Sequence, residues 1–473
     1  MPISSRWQID IPSISLPTYL FTSATHSLPD KVAYYNAPDP SRYLTHSTFR
    51  LYSQRLAAGL IKNGLRPGDR VLLFSGNNLF FPVVIMGIIM AGGVFTGANP
   101  GFVERGAGDQ LGDSGARFLI CGEESLGVGV KAAEEVGLGR ECIFAFHDRV
   151  EEGGGGKGVG NDHRGVERLE GSYPKETVCC LNYSSGTTGV PKGVMITHYN
   201  YVANSMQLKS LQELHPDTPE RNKKAKWLCF SPLYHAMGQT IFGAVAPKRG
   251  IPVYIMKKFD FQEMLEAVQK YRITTLTMVP PVIVLLVKSP LTKQYDLSSV
   301  LDIVSGAAPL SGEVIAEVEK LWPSGRVKLN QGWGMTEGTC SLLGWDPRLD
   351  PHPDSVGELN ANCHAKIVDP ETLEEVKHGE RGEIWVQTPN IMKGYWQKAA
   401  ATQEIFENEK GKVLTKEEVV KWVEERTSRF KWLKGGVRFL EAIPKNSSGK
   451  ILRKILRERA KEEMSENTVK ARL

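Results

Sequence analysis

Short apolar runs alternate with segments of helical periodicity along most of this chain. The runs at 32–35, 71–74 and 118–121 resemble strands, whereas the segment 47–63 repeats its apolar residues at helical spacing. This alternation predicts an α/β fold in which helices cover the sheets. Further strand-like runs follow at 178–183, 227–230, 251–256, 274–279 and 326–330. We therefore predict a large N-terminal domain of layered, doubly wound sheets.

Three segments add detail to this prediction. Ser311 precedes apolar residues at helical spacing up to Trp322, which predicts a helix capped by that serine. The apolar run 79–95 contains Pro82 and a glycine pair and is marginal in length for a bilayer. We predict a buried helix there and no membrane span. Short alternating strands with glycine turns predict a smaller β subdomain at 366–396.

The chain is too long for a single hydrophobic core. A length of 473 residues predicts at least two packed units. The composition shifts after residue 404, so we place one domain at 1–400 and a small α/β domain at 407–473. The glycine-rich stretch 151–160 is predicted to be a surface insertion.

Composition and charge exclude several kinds of partner. Hydrophobic residues make up 41% of the chain and charged residues 23%, as in ordinary globular enzymes. The net charge of +5 is small and the basic residues are scattered until the C-terminus, so we expect no nucleic-acid-binding surface. The 7 cysteines form neither a disulfide framework nor a metal-binding motif, which favours a reducing compartment. Charge and proline interrupt residues 1–21, so no secretory signal is predicted.

The segment 183–194, YSSGTTGVPKGV, lies between an apolar strand and a helix-forming stretch. Its glycines let the backbone turn tightly around an anion, while hydroxyl groups and a lysine supply donors and positive charge. A polyphosphate is the expected ligand, and an ordinary surface turn is the alternative. Pro191 replaces the second glycine of a Walker loop, so the segment is not one. The residues expected to hold phosphates are Ser184, Ser185, Gly186, Thr187, Thr188, Gly189 and Lys192.

This loop resembles the nucleotide loop of the acyl-adenylate-forming enzymes, which include acyl-CoA synthetases and 4-coumarate:CoA ligases. Four more segments resemble motifs of that family, namely SPLYHAMG at 231–238, SGAAPL at 305–310, QGWGMTEG at 331–338 and PKNSSGK at 444–450. The first of these four is similar to the coumarate-ligase and acyl-CoA branch. The resemblance implies that a small apolar or aromatic carboxylic acid reacts with ATP to form acyl-AMP, with Mg²⁺ as the metal, and is then transferred to coenzyme A.

The resemblance also implies roles for individual residues. Glu337 is the expected Mg²⁺ ligand, Thr336 the expected contact of the α-phosphate, and Trp333 the expected neighbour of adenine. His235 is expected beside the substrate carboxylate, and Lys450 is expected to bridge that carboxylate and the α-phosphate. The plainer alternatives are a core tryptophan, a structural histidine and a solvated lysine. The catalytic set is Lys192, His235, Thr336 and Lys450.

Two further sets complete the expected site. The adenosine side comprises Gly306, Ala307, Ala308, Gln331, Gly332, Trp333, Gly334 and Met335, together with Thr336 and Lys450. The acid pocket is expected near His235, Met237, Gly238, Ala307 and Gly332. A second histidine that matches the family, His198, is expected to belong to the start of a helix instead.

The resemblance fails at one place. The family continues into a T-G-D segment, whose aspartate holds the ribose hydroxyls, and then into a basic hinge, whereas this chain passes from Phe406 through ENEKGK to Val413. A charge-assisted hydrogen bond contributes about 1.5 to 3 kcal/mol, which predicts ATP binding weaker by roughly tenfold to a hundredfold. The hinge lets the family rotate its small domain, which is truncated here. Thioester formation is therefore the step that the loss affects most.

Three hypotheses stay open from the sequence. The chain is an acyl-CoA ligase, a non-catalytic relative that binds nucleotide or acyl groups, or an incomplete gene model of an active ligase. The C-terminal residues Ala471, Arg472 and Leu473 form a variant of the S-K-L peroxisomal address. We therefore expect the peroxisomal import receptor as a partner and the peroxisome as the location, with the cytoplasm as the alternative.

Overall fold

A computed structural model describes residues 3–21, 30–146, 174–184, 191–322, 325 and 327–406. The tip of the predicted phosphate loop, with Ser185, Gly186, Thr187, Thr188 and Gly189, lies outside these residues. So do the glycine-rich stretch 151–160, Lys450 and the C-terminal address. Residue contacts divide the chain into the units Met1–Ile405 and Phe406–Leu473, and the described residues belong almost entirely to the first unit. The predicted domain bounds at 400 and 407 stay a prediction.

Strands and helices alternate along the described chain. The strands are β1 (Ile3–Ser4), β2 (Val32–Asn36), β3 (Tyr43–Thr45), β4 (Arg70–Phe74), β5 (Val94–Ala98), β6 (Phe118–Gly122), β7 (Ile143–Phe146), β8 (Val178–Ser184), β9 (Lys192–Thr197), β10 (Trp227–Cys229), β11 (Val253–Ile255), β12 (Thr275–Met278), β13 (Asp302–Ser305), β14 (Leu329–Gln331), β15 (Leu343–Gly344), β16 (Glu358–Leu359), β17 (His364–Val368), β18 (Glu383–Gln387) and β19 (Gly394–Tyr395).

The α-helices are α1 (Leu16–Phe21), α2 (His46–Lys62), α3 (Phe81–Met90), α4 (Glu104–Ser114), α5 (Leu126–Glu135), α6 (His198–Glu213), α7 (Thr218–Lys224), α8 (Ala236–Gly238), α9 (Ala246–Lys248), α10 (Phe261–Tyr271), α11 (Pro280–Lys288), α12 (Gly312–Glu319) and α13 (Ala399–Ile405). A π-helical segment, Gln239–Val245, connects α8 to α9. Short 3-10 turns lie at Glu123–Ser125, Arg140–Cys142, Pro290–Gln294 and Thr336–Gly338.

The first large sheet has the strand order β14-β13-β12-β10-β11-β2-β3. All neighbours are parallel except β2 and β3, which are antiparallel. Its strands are apolar because helices bury them. The core on this sheet includes Leu228, Leu276, Ile303 and Leu329 from the strands and Val268, Ile283 and Val318 from the helices.

The second large sheet has the strand order β19-β9-β8-β5-β4-β6-β7. The strands from β8 to β7 run parallel, whereas β9 is antiparallel to both β8 and β19. The antiparallel edge matters for function, because β8 and β9 are the two arms of the predicted phosphate loop. Smaller sheets are formed by β1, β17 and β18 and by β15 and β16.

The α/β fold with layered sheets is confirmed. The buried helix predicted in the apolar run 79–95 is confirmed as α3, whose residues are all buried, and the chain then turns at Gly92 (φ +77°) into β5. Two other local predictions were wrong in part. The helix after Ser311 stops at Glu319, and the serine side chain makes no capping hydrogen bond. The predicted β subdomain loses its last strand, because β19 pairs with β9 in the second large sheet.

Within the described ranges, no helix combines the length and the apolar character needed to cross a bilayer. All seven cysteines are unpaired.

His198 is the first residue of α6, which Thr197 caps by accepting a hydrogen bond from the Asn200 amide. The imidazole is 2% exposed, and its Nδ1 accepts from the Leu16 amide at 3.2 Å. Burial disfavours the charged ring and lowers the pKa of His198 to about 4. The structure therefore places this histidine at a helix start, as the sequence suggested.

We predict that His198 makes the fold sensitive to acid. Between pH 6.5 and about 4, the unfolded chain binds a proton on this residue that the folded chain excludes. Each pH unit in that window therefore costs up to about 1.4 kcal/mol of stability, and nothing is lost above it. Urea denaturation of His198→Asn should show a weaker pH dependence than wild type, with the exposed His378→Asn as control. Equal slopes for wild type and His198→Asn would contradict the assignment.

Candidate functional site

A cavity of about 870 Å³ runs along the first large sheet. It extends from the carboxyl ends of β13 and β14 to the amino ends of β10, β12 and β13, and α6 and the π-helical segment complete its wall. Its volume is typical of a small-molecule site. Predicted residues that line it are His235, Met237, Gly238, Gly306, Ala307, Gln331, Gly332, Trp333, Gly334, Met335 and Thr336. Ala308 and Glu337 are not part of this lining.

The turn 305–310 and the segment after β14 form one end of the cavity. Gln331 joins them, because its Oε1 accepts from the Leu310 amide at 3.0 Å and its Nε2 donates to the Leu310 carbonyl at 3.2 Å. The Gly332 amide donates to the Ser305 carbonyl at 2.8 Å. Gln331 was predicted to contact nucleotide, but its polar atoms are engaged in holding the turn. The structure therefore assigns it a positioning role.

Ala307 lies in the left-handed region, with φ at +72°. Such a conformation is strained for alanine, and strained residues concentrate at functional sites. Ala307 is exposed to the cavity, so its unusual backbone presents main-chain atoms and a small side chain to whatever occupies that end. This geometry fits the predicted contact with a flat base.

The segment 332–341 is folded tightly over the same end. Trp333 bridges Leu343, whose amide donates to the Trp333 carbonyl at 3.0 Å. Gly334 approaches the next part of the loop so closely that a Cβ on it would lie 1.7 Å from the Cys340 carbonyl oxygen. Thr339 has φ at +65°, which is exceptional for a β-branched residue.

Buried amides hold this strained loop in place. Asn390 Nδ2 donates to the Gly338 carbonyl at 2.7 Å, and Thr339 Oγ1 donates to the Asn390 carbonyl at 2.6 Å. On the other side, Asn204 Nδ2 donates to the Ser341 carbonyl at 2.7 Å. Asn204, Thr339 and Asn390 are each fully buried. Every contact satisfies a polar group that would otherwise be costly to bury.

Glu337 lies in the 3-10 turn that begins at Thr336, and it is 8% exposed. Its Oε1 accepts a hydrogen bond of 2.8 Å from the Tyr395 hydroxyl, and its carbonyl accepts one of 2.7 Å from the Met392 amide. Burial and the neighbouring carboxylate raise the pKa of Tyr395 far above its usual value. The phenol therefore stays a donor at all physiological pH values.

The same tyrosine contacts the predicted phosphate-loop lysine. Lys192 Nζ lies 5.1 Å from the centroid of the Tyr395 ring, close enough for a cation–π contact. The pairing of β19 with β9, in which Tyr395 faces Val194, creates this arrangement. Lys192 thus contacts the ring of Tyr395 and Glu337 accepts from its hydroxyl, although Lys192 and Glu337 are far apart in sequence. Tyr395 and Asn390 were not predicted; their only sequence signal was the segment from TPN to GYW after β18.

Ser184 and Lys192 are register partners where β8 and β9 converge. Ser184 Oγ is buried and has no hydrogen-bond partner among the described atoms. On β8, the Tyr183 hydroxyl donates to Asp113 at 2.7 Å, and Lys398 Nζ donates to the same carboxylate at 2.8 Å. The arms of the loop are therefore fixed to α4 and to the segment before α13, and the Ser184 hydroxyl, unpaired among the described atoms, lies at the end of β8.

His235 immediately precedes α8 and lines the cavity. His235 is exposed, but its exposed surface faces the concave cavity. Surrounding protein atoms therefore hinder the hydration of the imidazole, which lowers the pKa of His235. The Tyr234 ring lies 4.5 Å from it, between centroids. The imidazole is consequently neutral at pH 7 and can donate a hydrogen bond without carrying a charge. Met237 and Gly238 follow on the same wall.

The described residues contain no group of three or more histidine, cysteine, aspartate or glutamate side chains that could enclose a metal ion. A single carboxylate such as Glu337 nevertheless suits Mg²⁺, which is commonly held by one or two carboxylates together with substrate phosphates. The Tyr395 hydroxyl occupies only part of the acceptor capacity of Glu337. The donor set is therefore compatible with Mg²⁺ bound jointly by protein and polyphosphate.

Comparisons with known proteins agree with this geometry. A family model described as AMP-binding enzyme matches residues 21–396. A phenylacetyl-CoA ligase from Aspergillus niger is 28% identical, covering 96% of this chain and 98% of its own. A 4-coumarate–CoA ligase from Petroselinum crispum is 31% identical, covering 84% and 72%. The Aspergillus alignment spans 545 positions although this chain has only 473 residues, so that relative carries segments that this chain lacks.

Solved structures share the fold. A long-chain-fatty-acid-CoA ligase from Archaeoglobus fulgidus superposes with a TM-score of 0.72 at 24% identity, covering 85% of this chain and 80% of its own. An ATP-bound structure of MatB from Rhodopseudomonas palustris gives a TM-score of 0.69 at 20% identity, covering 94% and 98%. At these identities the likeness establishes architecture alone.

We predict that Gly334→Ala disrupts the loop over the cavity, because the new methyl group would overlap the Cys340 carbonyl and force the backbone to move. The expected loss is about 1 to 3 kcal/mol of stability, measured by thermal or urea denaturation. Gly59→Ala is the matched control, since a Cβ there meets nothing within 4 Å in the helix α2. The control should be neutral or slightly stabilising. Indistinguishable stabilities for the two variants would refute the steric argument.

Proposed function

Because the chain belongs to the AMP-binding enzyme family, we propose that it is an ATP-dependent acyl-CoA ligase. The acid, apolar or aromatic, reacts with ATP to give acyl-AMP and pyrophosphate, and the acyl group then passes to coenzyme A. One observation carries the proposal. A single cavity is lined at one end by the segment 331–336 and the strained turn at Ala307, and it continues into an apolar channel that starts at His235. Nucleotide and acid would meet where these two parts join.

The described residues suit the first half-reaction. Trp333 and the Ala307 turn offer a flat face and open backbone to the base, while Ser184 and Lys192 offer an orphan hydroxyl and a positive charge to the phosphates. Neutral His235 holds the acid carboxylate by a hydrogen bond without a competing ion pair, which leaves the carboxylate nucleophilic. Glu337 is the residue that would hold Mg²⁺, whose charge offsets that of the phosphates. Lys450 supplies a mobile ammonium in the sequence-based assignment.

A second function, nucleotide or acyl binding without turnover, is favoured by one specific feature. The chain lacks the ribose-binding aspartate and the hinge that the family has after the position of Phe406. The missing aspartate removes one expected contact of ATP and so weakens nucleotide binding. The missing hinge bears most on the domain rotation that precedes thioester formation.

ATP–pyrophosphate exchange with a broad panel of carboxylic acids tests the proposal. We expect exchange with at least one apolar or aromatic acid and a sharp loss in Lys450→Ala. Thioester formation from preformed acyl-AMP should be much less affected by that substitution, because the ammonium acts on the α-phosphate during adenylation. Equal losses in both steps would contradict the role of Lys450. Binding of Mg·ATP without exchange for any acid would favour the non-catalytic function.

We predict that Tyr395→Phe weakens the binding of Mg²⁺ together with nucleotide, because the variant loses the hydrogen bond that orients the Glu337 carboxylate. Loss of a residue that orients a metal ligand costs about tenfold or more in metal affinity. Calorimetry with ATP should show a raised Mg²⁺ requirement, whereas ATP binding in EDTA should be unchanged. Tyr295→Phe is the matched control, since that hydroxyl donates to Glu266 at an exposed position. A uniform loss with and without Mg²⁺ would indicate a purely structural role for Tyr395.

We also propose that the enzyme enters peroxisomes through its C-terminal Ala471, Arg472 and Leu473, with the import receptor as the partner. A fluorescent protein fused to the N-terminus leaves the address free and should give a punctate peroxisomal pattern. Removal of the three residues should make the pattern diffuse. A diffuse pattern with the terminus intact would favour the cytoplasm.

A further inference from the structure

The cavity is polar where it reaches the amino ends of the strands, although other parts of its lining are apolar. The apolar lining includes Phe230, Ile241 and Val304. At the amino ends of β10 and β13, the wall contains Arg221, Asn222, Trp227 and Arg249, together with Asp302, whose carboxylate pairs with Arg221. An acyl chain that left the reacting centre along the sheet would therefore meet charged and hydrogen-bonding groups at its tail.

Arg249 is the important residue at this end, because no carboxylate among the described residues contacts its guanidinium directly. Its guanidinium donates to Gln212 Oε1 and, at 2.5 Å, to Asn222 Oδ1, and both acceptors are neutral amides. Nε is buried and has no partner among the described atoms. The guanidinium carbon lies 5.5 Å from the centroid of the Trp227 ring.

The nearby carboxylates are already paired with other cations. Asp302 accepts a hydrogen bond of 2.5 Å from Arg221, and Glu213 accepts one of 2.7 Å from Lys209. Burial is the main cause that lowers the pKa of Arg249 to about 10, so the side chain stays charged at pH 7. A largely buried cation with neutral partners is costly unless an anion approaches it. A second donor at this end, the indole Nε1 of Trp227, is likewise buried without a partner in the described structure.

We propose that the acid activated by this enzyme carries a second carboxylate, or a carboxylate-like anionic group, at its far end, and that Arg249 binds it. This inference rests on the proposed function and specifies its substrate class. The substrate would be a long acid with an apolar middle and an anionic group at each end. One carboxylate would lie at His235, where it reacts, and the other at Arg249.

The strands set the length of such a substrate. The cavity follows β13 from Ser305 back to Asp302 and continues past both ends of the strand. With a rise of about 3.3 Å per residue, that strand alone accounts for roughly 10 Å. Short diacids would leave one end unbound, so we expect a medium-chain diacid to fit best.

The test compares diacids with monoacids of equal length, from hexanedioic to tetradecanedioic acid, by ATP–pyrophosphate exchange. For wild type, kcat/KM for the best diacid should exceed that for its monoacid by more than about tenfold. Arg249→Met should abolish or reverse this preference while keeping exchange with the monoacid. Arg249→Lys, which keeps the charge but loses the planar fork, should retain part of the preference. Arg140→Met, which removes an exposed arginine paired with Glu134, is the matched control.

A structural role for Arg249 predicts a different result, because loss of its contacts with Gln212 and Asn222 would lower stability without changing the diacid-to-monoacid ratio. A preference for monoacids at every length in wild type, or a diacid preference that survives Arg249→Met, would overturn the inference while leaving the ligase function intact. If no acid supports exchange, the proposed function fails first. The melting temperature of the protein is then measured with each acid alone. A larger rise with the diacid than with the monoacid, lost in Arg249→Met, supports the inference. Equal rises with the two acids refute it.

Discussion

The pairing of β19 with β9 is the constraint on which the candidate site depends. It adds two residues from the end of the large unit to the strand that begins with Lys192. Because Tyr395 then lies between Lys192 and Glu337, a strand pairing positions the proposed phosphate-binding lysine relative to the proposed metal-binding carboxylate. The loop over the cavity and the phosphate-loop arms are therefore not independent elements, since one short strand positions both.

The energetic cost of the site is offset by buried amides close by. Ala307 and Thr339 occupy left-handed backbone conformations that cost on the order of 1–3 kcal/mol each. Gln331 holds the turn that contains Ala307, and Asn390 holds the loop that contains Thr339. Both amides make several hydrogen bonds to main-chain groups, so their removal would leave buried polar atoms unpaired. The rigidity of this end of the cavity thus comes from side chains that hydrogen-bond to the main chain of the loops around it.

The alternation of apolar runs and helical periodicity was sufficient to predict the α/β fold, because buried parallel strands are short and continuously apolar. The resemblance of local motifs identified the segments 305–310 and 331–338, which the structure brings to one end of the cavity. Tyr395, Asn390 and Arg249 were missed for a physical reason: their roles arise from pairing and packing between residues distant in sequence. For Gln331, a motif position expected to bind nucleotide, the structure adds a second role, since its side chain holds the turn 305–310.

The place where the chain departs from its family follows a firmly attached element. In α13 the Thr402 hydroxyl accepts from the Tyr395 amide at 2.9 Å, and just before the helix Lys398 pairs with Asp113. The missing hinge and ribose carboxylate would come directly after this anchored segment. Their loss therefore leaves the Lys192–Tyr395–Glu337 arrangement intact, because the contacts that create it lie upstream. In the proposed mechanism adenylation needs this arrangement, the cavity and Lys450, which follows the departure in sequence, whereas thioester formation additionally needs the domain movement that the hinge allows.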